Sequence, residues 1–466
     1  MSVQSPLGAT PQRGAFELQP SVLRDGAAGT GVRSRAGAIG LAGVLLCGLV
    51  IVVSAAGTTS FLPETVRPVP ASLAGPFGSA AINIHVLGVL LVLGAMFGCY
   101  ALVVHACEQL SARTVLTAIV ALNAVLLLAP PLLSTDVFRY QIYARMGAPW
   151  LYGTNPYLHG PHAIALDPLY QYIGSKWVST PTTYGPLFTA LSYLLTPLSI
   201  AASAVAYKAI AVASSLGCVA LIWRGARLRG VNPVRAAALF GLNPLVVMYG
   251  VGGGHNDLLM LFLVVAGVVA TLELRERAGA GLIVLGAAVK LTGALLLPFA
   301  IARSWAQNEG RGRFDALAGA AVATVAAAGF SFALFGTGVL QLPGTIQTVQ
   351  NEGDWHSIPG FISSRLGLGA LGHVTGLVLA LVFVAVLCLL VRRVAVGRLD
   401  WLDGAGWATA ALLVTASSLL PWYVAWLLPL VALSRDRRLW KAAIIITGVV
   451  QGIQLLGYIP HGATFL

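Results

Sequence analysis

VLTAIVALNAVLLLAPPLL, residues 115–133, runs straight into STDVFRYQIYARMG, residues 134–147. The first stretch carries no charge and is close to the roughly 20 apolar residues that a bilayer crossing takes. The second is abruptly polar, which puts Asp136 where a membrane helix meets water. A carboxylate there costs free energy unless it has a partner or a task, so ionisable residues in or beside membrane spans are functional candidates. The polar segment continues through GTNPYLHGPH (153–162) and closes on TPTTYGP (180–186). Its aromatics, among them Phe138, Tyr140, Tyr143, Trp150, Trp177 and Tyr184, suit a segment lying on the bilayer surface.

The rest of the chain sets that segment in context. Of 466 residues, 57% are hydrophobic and 9% charged, against about 25% charged in soluble domains. The composition therefore reads as an all-α, polytopic membrane protein. A net charge of +12 would suit nucleic acid if it formed one patch, but the basic residues lie in short clusters between apolar runs, the pattern of cytoplasmic loops. Nucleic-acid binding is set aside. The five cysteines sit in or beside apolar runs with no CxxC pair, as small buried hydrophobes do. Residues 1–36, rich in Gly, Ser, Pro and Arg, read as a disordered cytoplasmic tail, and the apolar run after them is too long for a typical cleaved signal. Residues 37–466 read as a single transmembrane domain.

About eleven crossings are expected, at 37–56, 83–105, 114–133, 203–223, 235–251, 256–274, 314–336, 370–391, 402–419, 421–434 and 439–458. The arginines after the fourth, sixth and eighth and before the last set those ends in the cytoplasm. The N-terminus then lies inside, and the loops 134–202 and 337–369 lie outside the plasma membrane. Residues 279–303 break this parity and carry Lys290 at their centre, flanked by Gly286 and Gly293. They read as a re-entrant hairpin of two half-helices with Lys290 near the turn, since irregular backbone survives at membrane depth only against protein or a cavity. Helical spacing in 137–146 and a proline start at Pro186 predict interfacial helices in the outer loop.

Five external polar clusters follow: Asp136 with Arg139; Asn155–Pro156–Tyr157; Thr180 to Pro186; His255–Asn256–Asp257; and Glu352 to His356. Lys290 approaches from below. Alternatives stand beside each. Asp136 could be a helix N-cap, as could Ser134 or Thr135, and Asp257 could simply favour a helix N-terminus. Asn155–Pro156–Tyr157 reads as a structural turn, and Trp422 and Tyr423 as interface anchors.

In order along the chain stand Asp136-Val-Phe-Arg-Tyr140, Gly153-Thr-Asn-Pro-Tyr157, Thr183-Tyr-Gly-Pro-Leu187, Leu242-Asn-Pro-Leu245, Gly254-His-Asn-Asp257, Lys290 and Pro421-Trp-Tyr423. From about residue 114 to 434 the chain resembles the actinobacterial polyprenol-phosphomannose-dependent α-(1→6)-mannosyltransferases of the GT-C superfamily. The resemblance implies a GT-C fold, with the first large external loop holding a catalytic Asp, here Asp136. It also implies transfer of a hexose, mannose, from polyprenyl phosphate to a lipid-linked mannan acceptor in lipomannan assembly.

No DxD motif occurs in the loop, which suits a metal-independent polyprenyl-monophosphate donor and no cofactor. Donor and substrate contacts are expected from Lys290, His255, Asp257, Arg139, Tyr140, Tyr184, His356 and Arg365. An uncompensated Lys290 ammonium would wait for the phosphate, so Lys290→Met is expected to spare the fold. Three alternatives remain at this point: a transporter or lipid-sugar flippase, a related enzyme using an arabinosyl or glucosyl donor, and a non-catalytic scaffold for envelope assembly, which would not require charges converging on one face. The absence of an evident internal repeat disfavours transporters built from repeated halves.

Overall fold

The computed structural model describes residues 26–57, 73–80, 82, 84–351, 356–366 and 373–457, and these contain helices and turns but no β-strand. The first apolar run forms α1 (Gly26–Gly57). No proline falls between Pro20 and Pro63, and the helix starts ahead of residue 37. Next come α2 (His85–Ala106) and α3 (Ala112–Leu128). Ser111 Oγ caps α3 by accepting the Thr114 N–H at 3.0 Å, and Pro130–Pro131 stop it. Its 17 residues rise only about 25 Å.

The polar segment folds as expected into α4 (Asp136–Gly147), three single 3-10 turns and α5 (Pro186–Tyr193). Tyr157 and Tyr193 pack there against Phe335 at ring separations of 5.0 and 5.9 Å. Asn155 Nδ2 donates to the Phe335 carbonyl at 2.7 Å. The Asn155–Pro156–Tyr157 turn is thus structural, holding the segment onto a membrane helix.

Beyond it run α6 (Ile200–Arg229) and α7 (Pro233–Gly241). Ser199 caps α6 and Gly230, at φ 66°, ends it. The expected span 235–251 is bent by 50° between α7 and a π-helical turn, Leu245–Val251, because Pro244 cannot continue the α-helical hydrogen bonds. The chain re-enters at α8 (Asp257–Leu272), then forms α9 (Glu276–Val289) and α10 (Leu297–Gln307).

These last two are the hairpin expected at 279–303. The backbone opens to φ −153° and ψ 125° at Lys290. Arg303 Nη1 meets Glu276 Oε1 at 2.5 Å, so both half-helices finish at the same end of the bundle. Lys290 therefore stands level with the start of α8. Small residues let α9 pack closely: a Cβ on Gly267 would come within 2.6 Å of the Gly279 carbonyl oxygen, and one on Gly279 within 2.8 Å of that of Gly267. In lipid, where apolar burial drives little helix association, such close approach supplies the contact energy.

The remaining helices are α11 (Asp315–Phe335), α12 (Leu342–Asn351), α13 (Ile358–Arg365), α14 (His373–Ala395), α15 (Trp401–Thr415), α16 (Leu428–Leu433) and α17 (Arg437–Gly457). Among the described residues six helices are long and apolar enough to cross a membrane, or seven if the bent pair counts as one span. Others of the eleven expected crossings are apolar but shorter, such as Ala112–Leu128, Asp257–Leu272 and Pro421–Leu433. Proline interrupts the last of these at Pro421 and Pro429. The protein is an all-helical membrane protein.

Candidate active site

Asp136 is delivered by the short turn that follows α3. The buried Lys208 of α6 donates to the carbonyls of Ala129 and Pro130, and the Leu132 N–H donates to Gly252 O at 2.9 Å. Both bonds anchor this turn to the bundle. Ser134 Oγ then accepts the Asp136 N–H at 3.2 Å. The Asp136 carboxylate does no capping. It accepts from Arg139 Nη2 at 2.5 Å and Tyr140 OH at 3.4 Å, three and four residues along α4. Only 7% of the residue is exposed. The N-cap alternative is thereby removed.

Behind Asp136 stands the 255–257 turn. His255 Nδ1 lies 3.3 Å from Asp136 Oδ2, near enough for an ion pair when protonated but off the line of a hydrogen bond. Its ring stacks on Trp422 at 3.7 Å. Tyr140 OH accepts the Asn256 N–H at 3.2 Å, linking α4 to the start of α8. Asp257 is a partner rather than a mere helix start. Both of its oxygens accept from Lys290 Nζ, at 2.7 and 2.8 Å, and Oδ1 also accepts from Trp426 Nε1 at 2.7 Å. The lone ammonium expected at residue 290 is therefore compensated. The ammonium also lies 4.7 Å from the centre of the Tyr423 ring.

In front of these groups opens a cavity of about 540 Å³. Asp136, Arg139, Lys176 and Lys290 line it, with Gln347, Gln350, Ser417 and Ser418 among the other polar residues; Ala380 and Phe383 of α14 with Leu412, Leu413 and Leu419 are among the apolar ones. Arg139 stacks its guanidinium 4.0 Å over Trp177. Four buried polar atoms on lining residues have no protein partner: Arg139 Nε, Tyr184 OH, Thr292 Oγ1 and Trp422 Nε1. Each such atom costs about 1–3 kcal/mol if nothing satisfies it. Burial raises the Asp136 carboxyl, but Arg139, His255 and Lys290 together hold it well below the ordinary carboxylate range. It is ionised at any physiological pH.

Of the residues expected to contact substrate, Asp136, Arg139, Tyr184 and Lys290 line the cavity. His255, Asp257 and Tyr140 form the layer that positions them. His356 and Arg365 are not among the lining residues. Arg365 Nη2 instead donates to Leu456 O at 3.2 Å and tethers α13 to the end of α17. Glu352, Gly353, Asp354 and Trp355 lie outside the described residues. Trp422 and Tyr423, read as interface anchors, belong to the cavity wall, as do Lys176, Trp177 and Trp426. A 3-10 turn, Pro421–Trp426, turns this aromatic cluster inward, and nothing in the residue pattern distinguishes that from a bilayer-surface anchor. Among the described residues no three His, Cys, Asp or Glu side chains gather closely enough to hold a metal ion.

The cavity depends on one backbone seam. The Gly185 N–H donates to Val289 O at 3.0 Å, joining the outer segment to the hairpin tip, and a Cβ there would overlap the Ala288 carbonyl oxygen. Backbone cannot swing aside as a side chain does. Gly185→Ala is expected to lower thermal stability by about 1–3 kcal/mol and to shift Lys290 relative to Tyr184. An unchanged melting temperature in detergent would show that the seam is looser than its geometry.

Comparison with known proteins adds the kinship of the chain. The alpha-(1->6)-mannopyranosyltransferase N-terminal domain model matches residues 37–307, a stretch containing Asp136, His255, Asp257 and Lys290. An MptB C-terminal domain model matches residues 356–466. Alpha-(1->6)-mannopyranosyltransferase A of Mycobacterium tuberculosis is 30% identical over 343 residues, covering 68% of this chain and 65% of the relative. A probable alpha-(1->6)-mannopyranosyltransferase of Mycolicibacterium smegmatis is 30% identical over 380 residues, covering 70% and 66%. Alpha-(1->6)-mannopyranosyltransferase A of Corynebacterium glutamicum is 31% identical over 182 residues, covering 38% and 36%. The chain thus spans just under two thirds of the length of the first two relatives. With a family model matching more than half of its residues, the chain belongs to the alpha-(1→6)-mannopyranosyltransferase family.

Proposed function

We propose that this protein is a membrane glycosyltransferase of GT-C type that moves mannose from polyprenyl phosphate to a lipid-linked mannan acceptor, forming an α-(1→6) bond. The observation that carries this reading is the shape of the cavity's chemistry. Its lining brings a carboxylate and three cations together with apolar side chains of α14 and α15. An amphiphile with a phosphate-linked sugar and a long hydrocarbon chain matches that combination. The names of the relatives supply mannose and the linkage.

In the proposed reaction the acceptor hydroxyl oxygen attacks C1 of the donor sugar from the face opposite the phosphate. The C1–O bond to phosphate breaks and its electron pair leaves with the phosphate. Asp136 takes the hydroxyl proton, a general-base role typically contributing about 10²–10⁴-fold. Single displacement turns a β-linked donor into an α product. The departing phosphate gains charge, which Lys290, Arg139 and Lys176 are placed to offset, so the reading assigns the cations of the site, and no metal, to that task.

Arg139 also explains how a carboxylate held so acidic can act as a base. A phosphate that draws Arg139 toward itself weakens the hold on Asp136 and returns its basicity. Binding of donor then switches on the base. The positive-inside pattern supports an orientation with the N-terminus in the cytoplasm and the cavity outside the plasma membrane.

The reading is tested with purified protein in nanodiscs given radiolabelled polyprenyl-phosphate mannose and an α-mannoside acceptor. Transfer of label to acceptor, with the phosphate carrier released, is expected. Movement of donor across a sealed liposome without transfer would instead support a flippase and overturn the enzyme reading. Transfer from the arabinosyl or glucosyl donor in preference to the mannosyl one would overturn the sugar assignment alone.

A further inference from the structure

A second cavity, of about 790 Å³, lies at the opposite end of the bundle. It sits between the end of α2 and the starts of α7 and α17, about 30 Å from Lys208 along α6 at 1.5 Å per residue. Arg235, Arg435, Arg437 and Lys441 line it, and Glu108 is the only carboxylate among its lining residues. Several other arginines of this end are paired with carboxylates: Arg229 with Asp400 at 2.8 Å, Arg277 with Asp315 at 2.8 Å and Arg303 with Glu276 at 2.5 Å. Arg435, Arg437 and Lys441 converge on the cavity, and among the described residues no carboxylate ion-pairs with them.

Two of the cations are held in place chiefly by contacts other than a counter-ion. Arg435 donates twice to the Arg229 carbonyl oxygen. The Arg235 guanidinium stacks 4.0 Å over Trp440 and only grazes Glu108 at 3.6 Å, while its Nε is buried without an acceptor. The first turns of α7 and α17 both face the cavity, through Asn232 and Arg235 and through Arg437 and Lys441. Both helix starts are capped by side chains, α7 by Asn232 and α17 by Asp436, which accepts the Arg438 N–H at 2.7 Å, so the positive charge of the cavity comes from its side chains. The remaining wall is apolar, with Val104, Ile444 and Ile445 among the lining residues. Ile445 is 63% exposed on a helix of membrane-crossing length, so the cavity opens sideways to lipid.

We propose that this cavity binds the phosphate headgroup of an anionic phospholipid, with the acyl chains laid against Val104, Ile444 and Ile445. Four cations against one lining carboxylate at a membrane boundary select an anion, and the apolar side wall selects one that carries hydrocarbon. The site is independent of the transferase reading, because it uses none of the residues around Asp136. A lipid wedged between α2, α7 and α17 would tie together three helices whose ends otherwise meet across a gap.

The test measures binding of phosphatidylglycerol and of phosphatidylcholine to the purified full-length protein by native mass spectrometry and by thermal shift. Phosphatidylglycerol is expected to bind and to raise the melting temperature; phosphatidylcholine is not. Arg437→Gln with Lys441→Gln, both exposed and able to fold, should weaken phosphatidylglycerol by about 30-fold, at about fivefold per basic residue. Arg392→Gln with Arg393→Gln removes the same charge from the end of α14, outside the cavity, and should leave binding unchanged. Equal loss in both pairs would reduce the effect to general surface charge and overturn the site. Inorganic phosphate or glycerol phosphate binding as tightly as the lipid would show a soluble anion instead and overturn the lipid assignment.

Discussion

Asp136→Asn is expected to lower turnover per folded molecule by about 10²–10⁴-fold while leaving donor affinity within a few-fold. Asparagine keeps an oxygen for Arg139 Nη2 and much of the size of the side chain, but it cannot take a proton. A purely electrostatic role makes a different forecast. The Asp136–Arg139 pair is buried, with side-chain exposures of 10% and 8%, and removing one partner of such a pair is destabilising. If pairing were the whole role, the melting temperature would fall and turnover of the surviving folded protein would not. Measuring both quantities separates the two, and undiminished turnover of the folded fraction sinks the base assignment.

The lowered ionisation of Asp136 fixes the direction of the pH dependence as well. A carboxyl whose folded value lies below its unfolded value, near 3.9, contributes stability that is complete above that unfolded value. The contribution is lost only as pH falls toward the depressed folded value. Titrating the ligand-free protein between neutral pH and pH 5 should therefore leave this pair intact. A mid-acidic loss of stability that disappears in Asp136→Asn would contradict it.

Lys290→Met is expected to destabilise the protein by about 3–5 kcal/mol, because it leaves Asp257 buried with only Trp426 Nε1 to satisfy it. This replaces the expectation from sequence that the fold would be spared. The informative variant is the double one, Lys290→Met with Asp257→Asn. It removes the stranded charge, retains an acceptor for Trp426, and should recover most of the lost stability. Donor binding should not recover, since the cation lining the cavity is still missing. Affinity for labelled polyprenyl-phosphate mannose and the melting temperature, read side by side, decide the matter. A double variant that binds donor as tightly as the native protein would leave Lys290 with a structural role alone.

Much of this protein is written in short-range sequence. The lengths of the apolar runs settle that it is helical and membrane-embedded, because each run must satisfy its own backbone in lipid. Local signals place many of the helix ends: Ser111 and Ser199 as caps, Gly230 as a left-handed stop, Pro130–Pro131 and Pro244 as breaks. The hairpin around Lys290 is legible too, since a charge amid an apolar stretch between arginine-bearing ends has few other solutions. So is the position of Asp136 at the end of one such run. Partnership is not legible in this way. Asp136 meets His255, Asp257 meets both Lys290 and Trp426, and Trp422 turns inward to stack on His255. In each case the residues come from different helices or loops, and their meeting depends on how those helices cross and turn about their axes. Arg365 shows the converse: its charge suited a phosphate, yet packing commits it to the end of α17. Periodicity and composition report which face of a helix is apolar, but only tertiary packing decides which two polar faces share a cavity, because that contact energy arises between segments and is absent from either one alone.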